Sequence, residues 1–186
     1  MKKISQITFV FLFAAVIFTG CKKDDDSVAT PAPPNEEELI TTLKITFVDS
    51  ADVNAVPKVF YYRDLDGDGG LPATSDSIKL DAHKTYYATL LLLNEAVSPV
   101  DTISNEILEE GVDHLFIYDV HDPLAKVSIT DQDENGLPLG LQSTWRTGAS
   151  GKTHVHIILK HQPGVKDGTE APGQTDIESY FELVVQ

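Results

Sequence analysis

Period-two alternation of apolar and polar residues runs through most of this chain and leaves it few folds to choose from. Leu43, Ile45 and Phe47 alternate with Lys44 and Thr46. Near the C-terminus Ile177, Ser179, Phe181, Leu183 and Val185 alternate with Glu178, Tyr180 and Glu182. In an extended strand successive side chains point to opposite faces, so this spacing gives one buried and one wet face. Val59 to Tyr62, Leu115 to Tyr118, Val127 to Thr130, Leu139 to Trp145 and Val155 to Leu159 have the same β-branched and aromatic character, with Gly, Pro, Asn and Asp clusters between them. Tyr86 to Leu93 is apolar on both faces and is expected to be a central strand. Trp145 should share a face with Leu139 and Leu141. Only Asp101 to Glu110, with Ile103, Ile107 and Leu108 and then Gly111 as a stop, has helical spacing. Eight or so short strands with at most one short helix predict an all-β, antiparallel β-sandwich, with an up-and-down β-barrel as the alternative.

The first 35 residues do not belong to that pattern. Lys2 and Lys3, an apolar run from Ile7 to Phe18, the small pair Thr19-Gly20 and then Cys21, the only cysteine, have the layout of a lipoprotein signal. A membrane-spanning helix needs roughly 20 apolar residues, and this run is shorter. Cleavage before Cys21 would free its thiol for a diacylglycerol. Residues 21–35 are charged, small or proline and read as a flexible tether. The expected organisation is a signal peptide over 1–20, a tether over 21–35 and a single domain over 36–186. With no further cysteine, that domain must be held by packing and not by disulfides.

Charge narrows the partners. Loss of residues 1–20 removes Lys2 and Lys3 from the 14 basic residues while all 29 acidic residues stay, so the net charge moves from −15 to −17. A chain this acidic repels phosphate backbones, which argues against nucleic acid. The membrane, through the N-terminal lipid, and a protein or glycan are the partners expected.

Two segments carry the most chemistry. Asp64-Leu65-Asp66-Gly67-Asp68-Gly69 and Asp131-Gln132-Asp133-Glu134-Asn135-Gly136 share the pattern D-x-D-x-D/N-G, each followed by Leu-Pro. Alternate oxygens that converge on one point are the opening half of a calcium loop. Asp64, Asp66 and Asp68, with nearby Asp76, are the candidate Ca2+ ligands. The bidentate Glu expected at position 12 is Ser75 in the first loop and Gln142 in the second, and the same residues also favour tight hairpin turns. His154 and His156 lie two apart on one strand face, where both imidazoles could meet a zinc or copper ion. A third ligand would have to come from His83, His114, His121 or His161. Gly148 to Thr153 ends like a phosphate-binding loop, but its first glycine would fall on Arg146, and it joins two strands. No nucleophile elbow or dinucleotide fingerprint is present.

Cys21 with Lys22-Lys23-Asp24-Asp25-Asp26 resembles the export signal of Bacteroidetes-type outer-membrane lipoproteins. Further along, Asn35 to Thr42, Arg63 to Gly70, Leu93-Asn94-Glu95, Asp133 to Gly136, Leu159-Lys160-His161 and Thr175 to Glu178 resemble a family of small lipoproteins of that type. The resemblance implies a lipid-anchored protein of the outer membrane, at the cell surface or else facing the periplasm, and implies no established activity and no functional residues. Some relatives carry the label type 1 periplasmic-binding fold. Such a fold needs repeated strand–helix units, which this chain lacks. A non-enzymatic binding or accessory module is thus the expected function, and a small metal-dependent hydrolase built from clustered histidines is the alternative.

Overall fold

The computed structural model of this chain describes residues 39–67 and 69–186. The expected signal peptide, Cys21, the expected tether and Asp68 lie outside the described residues. Ten strands and one short helix follow in chain order: β1 (Thr42–Asp49), β2 (Lys58–Arg63), β3 (Thr74–Ser75), β4 (Ile78–Leu80), β5 (Thr85–Leu93), α1 (Ile103–Glu109), β6 (His114–Val120), β7 (Ala125–Ile129), β8 (Gln142–Thr147), β9 (Gly151–His161) and β10 (Gln174–Val185). They form a six-stranded sheet in the order β3-β2-β1-β5-β8-β7 and a four-stranded sheet in the order β4-β10-β9-β6. This is an all-β sandwich and not a closed barrel. One pairing departs from the antiparallel expectation: β4 runs parallel to β10, with Leu183 beside Ile78 and Val185 beside Leu80.

The alternation expected from the sequence sets the core. Leu43, Ile45, Phe47, Tyr86, Ala88, Leu90, Leu92 and Trp145 come from one sheet. Phe116, Val155, Ile157, Leu159, Phe181, Leu183 and Val185 come from the other. Phe47 meets Trp145 edge to face at 5.2 Å and 89°, with Tyr86 and Phe60 at 6.2 and 6.1 Å. Such T-shaped contacts place the positive ring edge on a negative ring face and add to area burial. The buried indole N–H donates to Ser143 Oγ at 2.9 Å, so the largest core side chain leaves no orphaned donor.

Local departures from expectation have physical reasons. Strand β8 starts at Gln142 and not at Leu139, because Phe116 N–H on the other sheet takes the Leu139 carbonyl at 2.8 Å. The next residue, Gly140, sits at φ +101, and a Cβ there would lie 2.6 Å from Phe116 Cβ, so only glycine lets the chain cross from sheet to sheet at this point. Strand β5 is central, but its residues alternate between buried and exposed along its length. Helix α1 buries Ile103 and Ile107 and leaves Leu108 exposed. Ser104 Oγ accepts from Leu92 N–H at 2.6 Å, which satisfies a buried donor beyond the point where β5 and β8 cease to pair.

Strand directions sort the loops. The chain enters at Leu39 and Ile40 at what may be termed the lower end, shared with residues 64–73, α1, residues 130–141 and residues 162–173. The upper end carries residues 50–57, 81–84, 121–124 and 148–150.

Candidate functional site

Both Asp-rich loops lie at the lower end, because β2 and β7 both run toward it. In the first, the sharp turn is made by Gly67 (φ +72) and Gly69 (φ +88). Asp66 Oδ2 accepts from Leu71 N–H at 2.9 Å, and Asp76 Oδ2 accepts from Tyr61 N–H at 2.9 Å on the edge of the sheet. These carboxylates therefore serve the backbone. Asp64 Oδ1 is buried without a hydrogen-bond partner among the described residues. Asp64, Asp66 and Asp76 do not converge: among the described residues no group of three His, Cys, Asp or Glu side chains could hold a metal ion.

The second loop has a cation of its own. Asp133 Oδ1 accepts from Asn135 and Leu137 N–H at 2.8 and 2.9 Å, and Asp131 accepts from Gly140 and Gln142 N–H at 2.8 and 3.1 Å. Lys166 Nζ reaches in from the β9–β10 loop to Asp133 Oδ2 at 2.7 Å and to the Gly111 carbonyl at 2.8 Å, with both side chains almost wholly buried. Burial alone would raise the Asp133 pKa, but the Lys166 ammonium and the two amides outweigh it and hold the carboxyl below its usual value. An ammonium thus neutralises the loop that shares the D-x-D-x-D/N-G pattern with the candidate Ca2+ loop. A cleft of about 200 Å³ opens beside it, lined among others by Leu108, Val112, Gln132, Glu134 and Leu139.

The six histidines do not gather. His154 and His156 sit on the outer face of the four-stranded sheet, as their spacing predicted. His156 stacks on Tyr180 at 4.0 Å, and its Nε2 lies 3.3 Å from Glu178 Oε2, too poorly aligned for a hydrogen bond. His83 occupies a left-handed turn (φ 55) at the upper end, and His121 follows β6 there. Only His114 and His161 meet, stacked at 4.8 Å and placed side by side by the β6–β9 register. His114 Nδ1 lies 3.1 Å from the Glu110 carbonyl and Nε2 lies 3.9 Å from Asp176 Oδ2. Burial lowers the His114 pKa, against the pull of the Glu110 carbonyl.

Sequence reasoning missed the outer face of the six-stranded sheet. Tyr61 on β2, Lys44, Thr46 and Val48 on β1, Tyr87, Thr89 and Leu91 on β5, Gln142, Thr144 and Arg146 on β8, and Lys126 and Ser128 on β7 all alternate with core residues and so point outward. No acidic residue is among them. The carboxylates at its margin are engaged: Asp76 and Asp131 with backbone amides, and Glu95 with the Thr42 hydroxyl and, at 3.8 Å, with Arg63, whose guanidinium lies 3.9 Å from the Tyr61 ring centroid. The signal for this face was present in the strands, but only their order in the sheet makes it one surface.

No family model matches the chain, and comparison with curated proteins and with solved structures returns no significant match.

Proposed function

We propose that this chain is a lipid-anchored cell-envelope lipoprotein whose β-sandwich serves as a non-enzymatic binding or accessory module. The observation that carries the reading is Cys21, the sole cysteine, set behind a charged start and a short apolar run. The acidic segment after it and the resemblance to Bacteroidetes-type lipoproteins support the outer membrane, with the domain at the cell surface. Residues 21–35 at full extension span at most about 50 Å, enough to carry a sandwich clear of a bilayer headgroup region. Stable anchoring takes two acyl chains, which a diacylglycerol on Cys21 supplies. Metabolic labelling with a fatty acid tests the proposal. Wild-type protein takes up label and sediments with membranes, and Cys21→Ala does neither. A Cys21→Ala protein that remains labelled and membrane-bound contradicts it. Protease added to intact cells distinguishes the surface from the periplasm-facing alternative.

A further inference from the structure

The outer face of the six-stranded sheet holds an electrostatic arrangement that the chain does not complete. Lys126 on β7 and Arg146 on β8 are directly paired in register, and both are exposed. Like charges directly opposite on neighbouring strands are destabilising. Yet in a chain with 29 acidic residues, none of the described residues places a carboxylate within 4 Å of Lys126, Arg146 or Lys44. Between the two basic points lies Tyr87, half exposed, at the level of Val48 and Thr144. Tyr61 lies beside Lys44. From strand spacing and rise, Tyr61 and Tyr87 are about 16 Å apart, and Arg146 and Lys44 about 22 Å apart. The ground between them is Thr46, Thr89, Thr144, Gln142 and Ser128, whose hydroxyls and amide can both donate and accept.

We infer that this face binds an extended acidic polysaccharide, with carboxylate or sulfate groups at Lys126–Arg146 and at Lys44 and a sugar ring over Tyr87. The inference rests on the binding-module reading and supplies its ligand class. Three features select a glycan. The unpaired cations call for anions separated along a chain, and charge-assisted hydrogen bonds from Arg146 and the lysines would hold them. The half-exposed Tyr87 ring offers an apolar surface to the C–H face of a sugar, and a field of hydroxyl and amide groups matches a polyhydroxylated chain. Strand addition by an acidic peptide would be confined to β7, the edge of the sheet, because the backbones of β1, β5 and β8 are paired on both sides, and would not reach Lys44 on β1.

The test uses the full-length protein in detergent micelles, with polygalacturonate as the acidic glycan, dextran as the neutral one and poly-glutamate as the acidic peptide. Polygalacturonate binds, dextran does not, and the affinity falls as salt rises from about 0.05 to about 0.5 M. Combining Lys126→Gln with Arg146→Gln weakens binding by about tenfold or more, as expected for loss of charged hydrogen bonds, and Tyr87→Ala weakens it by about fivefold. All three positions are exposed, and an unchanged circular dichroism spectrum verifies the fold. Absence of polygalacturonate binding overturns the inference. So does poly-glutamate binding of equal strength combined with indifference to Tyr87→Ala, which would mark a surface for acidic protein. Fatty-acid labelling of the same preparations separates the two readings: labelled protein that ignores polygalacturonate overturns this inference alone, and unlabelled protein that binds it overturns the anchor alone.

Discussion

The two outer faces of this sandwich differ in how their cations are placed. On the four-stranded sheet, Lys152 lies 3.5 Å from Glu182, His156 lies 3.3 Å from Glu178, and Glu182 also accepts from Ser77 at 2.8 Å. These contacts hold the Glu182 carboxyl below its usual value, Ser77 first and Lys152 next. On the six-stranded sheet, Lys126 faces Arg146, and among the described residues no carboxylate lies within 4 Å of either. Lys152 and Lys126 are both exposed, so solvent does not explain the difference. Lys79 and Lys160 on the four-stranded sheet also have no carboxylate within 4 Å among the described residues, but neither stands directly opposite another cation.

The lower end sharpens the contrast, because internal neutralisation is most complete there. Lys166→Met would strand the buried Asp133 carboxylate, and breaking a buried pair from one side costs about 3–5 kcal/mol. Urea unfolding should show that loss. A cost near that of an exposed pair would mean that the loop is wetter than its geometry indicates.

Protonation offers a second way to unbalance the lower end. Burial depresses the folded-state pKa of His114, so the unfolded chain takes up its proton first as pH falls. The stability due to neutral His114 is fully present above about pH 6.5, the unfolded value, and is lost as pH falls toward the folded value, with a slope of at most about 1.4 kcal/mol per pH unit. His114→Gln should flatten the unfolding free energy between pH 7 and the onset of carboxylate titration. An unchanged slope would place the acid sensitivity elsewhere.

Charge reversals on the two faces should have opposite signs and the smallest effects. Glu182→Lys removes the partners of Lys152 and Ser77 and lowers the melting temperature. Lys126→Glu places an acid opposite Arg146 and raises the melting temperature, adding about 0.2–1 kcal/mol of stability at low salt and less at high salt. Two changes of the same sign would break the comparison.

Much of the fold was legible in the sequence, because burial alternates with a period that the residues themselves display. Leu43, Ile45, Phe47, Phe181, Leu183 and Trp145 all fall on the expected inner faces. The two-residue β3 and three-residue β4 are too short to show a period. What the sequence left hidden depends on pairing between distant segments. Lys166 meets Asp133 from 33 residues away, His114 meets His161 only through the β6–β9 register, and Lys126 opposes Arg146 only because β7 pairs with β8. The second D-x-D-x-D/N-G copy meets a cation that the motif does not name, a lysine of the same chain.

The most direct test of the unbalanced face is the thermal unfolding midpoint of the wild-type protein with and without saturating polygalacturonate, measured beside Lys126→Glu. A ligand that binds only the folded state at about 100 times its Kd adds about 2.7 kcal/mol. The account predicts a raised midpoint for the wild type and little change for Lys126→Glu, whose new carboxylate already balances Arg146. Equal shifts in both proteins, or none in either, would contradict it.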